Sequence, residues 1–393
     1  MQNGENLERL LKESTLCNTC LGRQFPSELK GLDNPSKGLE LKKKLGVRDR
    51  PTKVCNICGG MMSSIEKYVD LVIKALDEYE FESLLIGARI PTTIVEREDH
   101  LRAEMKLKGG ETLKANFTKE LNRKVSHKLN VEIRHRRPDV TAIVDSLLDM
   151  VEVTSKSIYV YGRYIKTKRG ILQKRRRCSE CRGKGCPECN LTGYTSTDSV
   201  EQRLTEPLLT LFSAGRVKFT WIGSEDSSSL VLGEGRPFYA EILEPRIRRP
   251  KRVKTVMKKV GDGISVKEIR ILDGRPKEER QFTITVQSSF TLNKRITKKN
   301  VKKLEETFEG ASIRMMPPNK KSSTTKKIYR LTVESAKSRY LQVKVECDGG
   351  LSLRRFFTGE GGEVIPNVAS ILEREVTLDE EKPFDILDVD FEA

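Results

Sequence analysis

A chain of 393 residues is long enough for two or three domains, each able to bury its own core, and its 73 Lys and Arg against 56 Asp and Glu leave a net charge of +17. Such an excess attracts phosphate backbones, which makes nucleic acid the leading partner; the bland alternative is a basic surface that binds nothing specific. No charged, apolar and small-residue succession opens the chain and no apolar run is long enough to span a bilayer, so secreted and membrane classes are set aside and a cytoplasmic protein is expected.

Glu5 to Leu16 has helical spacing and leads into Cys17-Asn-Thr-Cys20. A lysine-rich connection follows (Lys37 to Lys44), and then Cys55-Asn-Ile-Cys58. Two such knuckles predict one closed, tetrahedral zinc site on Cys17, Cys20, Cys55 and Cys58, with a structural role because no position is left for a water. Eight of the nine cysteines fall into Cys-x-x-Cys pairs, which favours metal over disulfides and agrees with a reducing compartment.

Ser63 and Ser64 can cap a helix whose apolar face is Ile65, Val69, Val72, Ile73 and Leu76. Phe81 to Ile90 reads as a strand, Thr112 begins a long basic helix through Leu129, Val140 to Leu148 is apolar, and Ser157 to Tyr164 is a further strand. This alternation predicts an α+β domain over about 60–168. His100, His127 and His135 lack partners at metal spacing and read as surface or phosphate-facing residues rather than ligands.

The basic run Lys174 to Arg177 enters a second cluster, Cys178, Cys181, Cys186 and Cys189, where glycines permit the tight turns that close four thiolates on one zinc. Its place between the two larger units reads as a small rigid hinge. Ser199 starts a helix with Leu204, Leu208, Leu209 and Phe212 inward, which Pro207 can bend.

Next comes the stretch from Trp221 to Glu241. Glu225 and Asp226 lie in a Gly/Ser-rich loop flanked by strand-like runs at 217–222 and 230–232, with Gly233-Glu-Gly-Arg-Pro237 as the next turn. A carboxylate on such a loop can face a ligand, although an Asp there ordinarily caps a turn. Beyond it lie a basic arm (Arg246 to Lys254), a strand from Phe282 toward Phe290, a helix from Asn300 to Phe308, and a basic loop from Lys320 to Lys327. Strands at 328–333 and 341–345, a lone buried Cys347 and a last strand at 385–389 complete a sheet-based α+β domain.

The chain resembles the Pus-ten family of tRNA pseudouridine synthases over nearly its whole length. The resemblance rests on Gly87-Ala-Arg-Ile-Pro91, Tyr161-Gly-Arg-Tyr164 ahead of the second cysteine cluster, Gly223-Ser-Glu-Asp226 with Gly233-Glu-Gly-Arg-Pro-Phe238, and Gly349-Gly-Leu351. It implies an N-terminal zinc-bound accessory domain containing a THUMP module and a C-terminal pseudouridine synthase catalytic domain on a mixed or antiparallel sheet. The expected organisation is a zinc-binding segment at 1–60, a THUMP-like RNA-binding domain at 61–168, the zinc hinge at 169–198 and the catalytic domain at 199–393.

The resemblance further implies that Asp226 is the catalytic aspartate, with Phe282, Ser352, Leu353, Arg354 and Phe384 around the substrate. Phe282 stands where the family has a tyrosine, Ser352 replaces a second one, Arg354 keeps a basic charge that could pair with Asp226, and Glu363 occupies a position expected to be basic. The implied partner is tRNA, modified in the T arm at tRNA positions 54 and 55. Two structural zincs, no catalytic or small-molecule cofactor, no membrane and a monomer complete the expectation. Its rival is a zinc-containing tRNA-binding protein or chaperone of the same fold with weak or lost catalysis. A THUMP-bearing methyltransferase would need a glycine-rich nucleotide loop after a strand, which the short Gly-x-Gly fragments do not supply.

Overall fold

The structure is a computed structural model that describes residues 2–48, 55–196, 198–258, 260–276, 281–316 and 322–392, with the side chains of 2–4 and 196 left aside. It divides into two compact units, Met1–Lys156 and Ser157–Ala393.

In the first unit a four-stranded sheet runs in the order Glu132–Ile133, Ser83–Arg89, Val140–Asp145, Met150–Ser155. The first three strands are parallel and the last is antiparallel. Leu84, Ile86, Ala88, Val140, Ala142 and Val144 are buried under the helices Ile65–Leu76 and Leu113–Leu129. The edge strand pairs only Ser83 and Leu84, so the outward N–H and C=O of Ile86 need another partner. Asn122 supplies it: its Oδ1 accepts from Ile86 N at 3.0 Å and its Nδ2 donates to Ile86 O at 2.9 Å.

Residues 5–48 do not stand apart. Leu7, Leu10, Cys17, Cys20 and Leu41 share one hydrophobic core with Cys55, Cys58 and the sheet. The lysine-rich stretch expected to be a connection is the helix Asn34–Lys44, started by Asp33, whose side chain accepts from Ser36 N, and by Pro35 in its first turn. It packs closely on Asn18–Gly22: a Cβ on Gly38 would lie 1.9 Å from Asn18 O. Neither the helix Thr92–Glu104, whose apolar residues make no continuous stripe, nor the strand Met150–Ser155 was foreseen. The apolar stretch expected to run to Leu148 ends as a strand at Asp145, whose carboxylate accepts from Leu147 N and Leu148 N and turns the chain, leaving both leucines exposed.

The second unit is built on an eleven-stranded sheet. Its path is Ile264–Leu272, Ile158–Lys166, Val231–Leu243, Asp385–Asp390, Thr283–Leu292, Tyr340–Asp348, Thr324–Lys337, Ser312–Met315 and Val364–Ile365, with Arg216–Trp221 pairing Val231–Leu243 and Val376–Leu378 pairing Thr283–Leu292. All pairs are antiparallel except Val231–Leu243 with Asp385–Asp390. The helices Val200–Phe212, Lys298–Phe308 and Leu353–Thr358 bury Leu204, Leu208, Phe212, Leu304, Phe308, Phe356 and Phe357 in its main core. A smaller cluster, Tyr161, Ile222 and Tyr239 with Leu272, Phe282 and Phe391 against it, forms a separate core. The mixed, mainly antiparallel sheet and the α+β class agree with the sequence reading.

The boundaries differ from that reading. The strand Ile158–Lys166, grouped there with the accessory domain, is hydrogen-bonded on both sides within the second sheet, and the 169–198 segment follows it as an excursion inside the second unit. Gly233 to Pro237 is no turn but part of the strand Val231–Leu243. Gly233 and Gly235 adopt φ of +57° and +81°, and the strand bulges there: against Ile158–Lys166 the register jumps from Val231 opposite Lys166 to Arg236 opposite Tyr164. Residues 324–327 of the expected basic loop belong to the strand Thr324–Lys337, while 320–321 lie outside the described residues.

Candidate active site

The loop 222–230 joins the strands Arg216–Trp221 and Val231–Leu243 and carries two carboxylates with opposite fates. The side chain of Glu225 has no exposed surface, nor have those of Lys166 and Arg236 beside it. Its Oε2 lies 2.7 Å from Arg236 Nε and its Oε1 3.6 Å from Lys166 Nζ, while the Tyr164 hydroxyl donates to it at 2.7 Å. Gln173 Nε2 in turn donates to the Tyr164 hydroxyl at 3.0 Å and to Gly223 O at 3.3 Å. Burial, reinforced by the charge of Glu225, pushes the Tyr164 phenol well above its ordinary range, so it stays a donor. Burial draws the Lys166 ammonium down, and Glu225 opposes that shift. A buried carboxylate held by two cations and a phenol is a structural centre.

Asp226, the next residue, is exposed. Its backbone is pinned even though its side chain is free to face a ligand. Lys166 Nζ donates to Asp226 O at 3.0 Å, Ser229 N to Asp226 O at 3.1 Å, and Gly170 N to Ser227 O at 2.9 Å. Arg236 donates to Ile222 O at 2.8 Å and to Ser224 O at 3.2 Å. Arg169 reaches Ser228 O and forks onto Asp385 at 2.6 and 2.7 Å; Asp385 also accepts from Leu230 N at 3.0 Å. Burial raises the Asp385 carboxyl, but Arg169 and the Leu230 N–H outweigh it and hold it below the usual range. The loop is thus fixed along its length before any ligand arrives.

Around this loop the structure places the other expected residues unevenly. Phe282, half-buried, sets its ring between two glycines: a Cβ on Gly223 would lie 3.0 Å from it and one on Gly349 2.2 Å. Gly349 N donates to Phe282 O at 2.8 Å, which draws the segment leading to Ser352 alongside. Ser352 precedes the helix Leu353–Thr358, and Leu353 packs on the main core. Arg354 forks onto Glu380 at 3.0 and 3.3 Å rather than onto Asp226; Glu380, and more weakly the charge of Asp226, raises its pKa. Phe384 is buried in the main core and stacks on Phe357 at 6.0 Å, one residue before the loop anchor Asp385. Glu363, where a basic residue was expected, pairs with Arg355. The sequence reading missed Tyr164, Lys166, Gln173 and Arg236 as a group. Their signal was a Lys and an Arg set among apolar strand residues, where a buried cation demands a counter-charge.

Both cysteine sets come together, each with sulfurs within 4.8 Å of one another. Cys17 and Cys58 are 3.9 Å apart, Cys178 and Cys186 3.8 Å, and Cys181 and Cys189 3.7 Å. Thiolates at zinc–sulfur bond length around a tetrahedral ion are separated by about 3.8 Å, so either set fits a four-coordinate metal. Backbone N–H groups of Gly185, Cys186 and Gly193 point at the sulfurs of the second set. Burial pushes the Cys189 thiol up, but the N–H groups of Cys186 and Gly193, together with the neighbouring Cys186 and Cys181 thiols, draw it below its ordinary range. The three histidines are all exposed, and no described helix is long and apolar enough to cross a membrane.

Comparison with known proteins adds a family. Residues 159–390 match the family model described as Pus10, C-terminal, and residues 68–145 that of the Pus10 THUMP domain, archaeal. A tRNA pseudouridine synthase Pus10 from Nitrosopumilus maritimus is 32% identical, covering 93% of each chain. One from Methanopyrus kandleri is 28% identical, covering 98% of each. A chain in the crystal structure of a Cbf5-Nop10-Gar1 complex superposes with a TM-score of 0.28 at 13% identity, over 46% of this chain and 43% of that one, a likeness too slight to bear on the fold.

Proposed function

The chain belongs to the Pus10 family of tRNA pseudouridine synthases, and on that premise we propose that it isomerises uridine to pseudouridine in the T arm of tRNA, at tRNA positions 54 and 55, with Asp226 as catalytic aspartate. The observation that carries the assignment is the contrast on one loop: Glu225 is consumed by Arg236, Lys166 and Tyr164, whereas Asp226 is exposed on a backbone held from both sides.

The target uridine leaves its stack to reach Asp226, at the cost of a few kcal/mol that RNA contacts must offset. The carboxylate acts at the ribose, as covalent nucleophile on C1′ or as base on an adjacent carbon, while the N1–C1′ bond breaks. The uracil rotates, C5 bonds to C1′, and the proton lost from C5 is balanced by one gained at N1; no oxidant, energy source or diffusible cofactor is consumed. Phe282, wedged between Gly223 and Gly349, offers a flat apolar face on which uracil can stack. Arg354 is held only by an exposed pair with Glu380 that water and salt screen, so bound substrate can redirect it toward Asp226. The two cysteine sets would each hold a structural zinc, giving two per chain, remote from proton transfer in role.

Site-resolved pseudouridine mapping on a T-arm-containing tRNA, with wild type and Asp226→Asn side by side, tests the reading. Conversion at positions 54 and 55 that drops by at least about 10²–10⁴-fold in the variant is the expected result. Tight binding with no conversion by wild type would leave a zinc-containing tRNA-binding protein instead.

A further inference from the structure

Residues 174–190 hold six basic and two acidic residues. Arg175 is engaged, pairing with Glu201 at 3.2 Å and lying 4.2 Å over the Tyr194 ring. Arg176, Arg177, Arg182 and Lys184 are different. All four are exposed, and among the described residues none has an acidic partner.

Two further features separate these cations from an ordinary solvated run. Their backbone is fixed. Arg176 and Arg177 pair with the strand Tyr194–Ser196, Arg182 has φ of +52°, and Gly185 and Gly193 sit so close to Leu191 O and Gly183 O that a Cβ would approach each to 2.7 Å. Cations carried on a rigid loop lose less freedom on binding than cations on a mobile arm. They are also not spent on the metal tetrad. In the first unit Arg23 donates to Cys20 Sγ at 3.6 Å, but the sulfurs of the second set receive backbone N–H groups from Gly185, Cys186 and Gly193, leaving the neighbouring cations unused.

The knuckle is rooted at the active loop. Gly170, Arg169 and Gln173 bond to Ser227 O, Ser228 O and Gly223 O, and Cys178 follows Gln173 by five residues, a reach of no more than about 17 Å. We infer that the 176–193 knuckle is a phosphate clamp of the second unit, in which Arg176, Arg177, Arg182 and Lys184 grip the backbone of the RNA whose uridine is presented to Asp226. The inference rests on the function proposed above and adds a binding surface to it. Contacts of this kind position an RNA without reading its sequence.

The test uses the metal-loaded full chain with Arg182→Gln/Lys184→Gln and Arg176→Gln/Arg177→Gln, measuring binding of a T-arm-containing tRNA by anisotropy over a range of salt, metal content, and conversion at saturating RNA. Each pair is expected to weaken binding about tenfold near physiological salt and to flatten the dependence of log Kd on log salt by about 1–2, because one or two fewer phosphates are neutralised. Conversion at saturation should stay within about twofold. Lys184→Glu, at an exposed position without a side-chain partner, provides a variant that keeps its metal whatever the arginine pairs do, and should weaken binding at least as much as Lys184→Gln. Wild-type affinity and salt slope in these metal-retaining variants would overturn the clamp. Wild type that binds but converts no uridine overturns the enzymatic reading instead, so the two failures are distinguishable.

Discussion

Adjacent carboxylates with different surroundings give different mutational signatures. Glu225→Ala strands Arg236 and Lys166 as uncompensated buried charges, and a loss of about 3–5 kcal/mol of stability is expected. Asp226→Ala removes an exposed side chain and should leave stability within about 0.5 kcal/mol while abolishing conversion. Urea denaturation of both variants beside the conversion assay checks the pair, and an Asp226 variant that loses as much stability as the Glu225 variant sinks the division of labour. Asp385 adds a pH dependence. Its folded pKa lies below its ordinary value, so its contribution is fully present above about pH 4 and is lost as pH falls through the lower, folded value. The stability gap between wild type and Asp385→Asn should therefore be constant at neutral pH and close in acid. The two carboxylates were legible as a pair in the sequence. Which of them is buried was not, because the cage on Glu225 comes from Tyr164 and Lys166 on one strand and Arg236 on another, brought together only by strand pairing.

Elements set the space around the loop. Phe282 begins the approach to the strand Thr283–Leu292, and the glycines that admit its ring come from the loop before Val231–Leu243 and from the end of Tyr340–Asp348. Gly349→Ala places a methyl inside the Phe282 ring, so the ring must move. A loss of roughly 10²-fold in kcat/KM is expected, since displacements near an ångström cost that much when a reacting group is positioned. Steady-state kinetics with the folded variant decide it; unchanged kcat/KM would mean that Phe282 does not line the uridine site. Elements with strong periodicity, such as Ile65–Leu76 and Leu113–Leu129, could be read from sequence because apolar residues recur at helical spacing, Ile65, Val69, Val72 and Leu76 in one and Leu113, Phe117, Leu121 and Val125 in the other. Thr92–Glu104 could not, since it buries only Glu98 and Leu101 and is held by polar contacts, Glu98 pairing with Arg23 and accepting from Leu113 N. The bend in Val231–Leu243 was mistaken for a turn because glycines mark both.

At the scale of the whole molecule, the two cysteine sets occupy different kinds of place, and that predicts how the protein responds to metal loss. Cys17, Cys20, Cys55 and Cys58 are at most 8% exposed and belong to the hydrophobic core that also contains Leu84, Ile86 and Val125. Without a metal, these would be four thiols facing one another inside that core, and the helices Asn18–Gly22 and Asn34–Lys44 would lose the anchor it supplies. The second set lies on an excursion; Cys181 and Cys186 are partly exposed, and none of its four cysteines belongs to the main core of its unit. Metal analysis should find about two zincs per chain. Cys186→Ser should lose one zinc and weaken RNA binding with little change in thermal unfolding. Cys58→Ser should lose the other and unfold the first unit at markedly lower temperature, because for a site built into a core the metal's binding energy is folding energy. Calorimetry of the two variants reads this directly: equal shifts, or a larger one from Cys186→Ser, would show that the first set is not the keystone of its core.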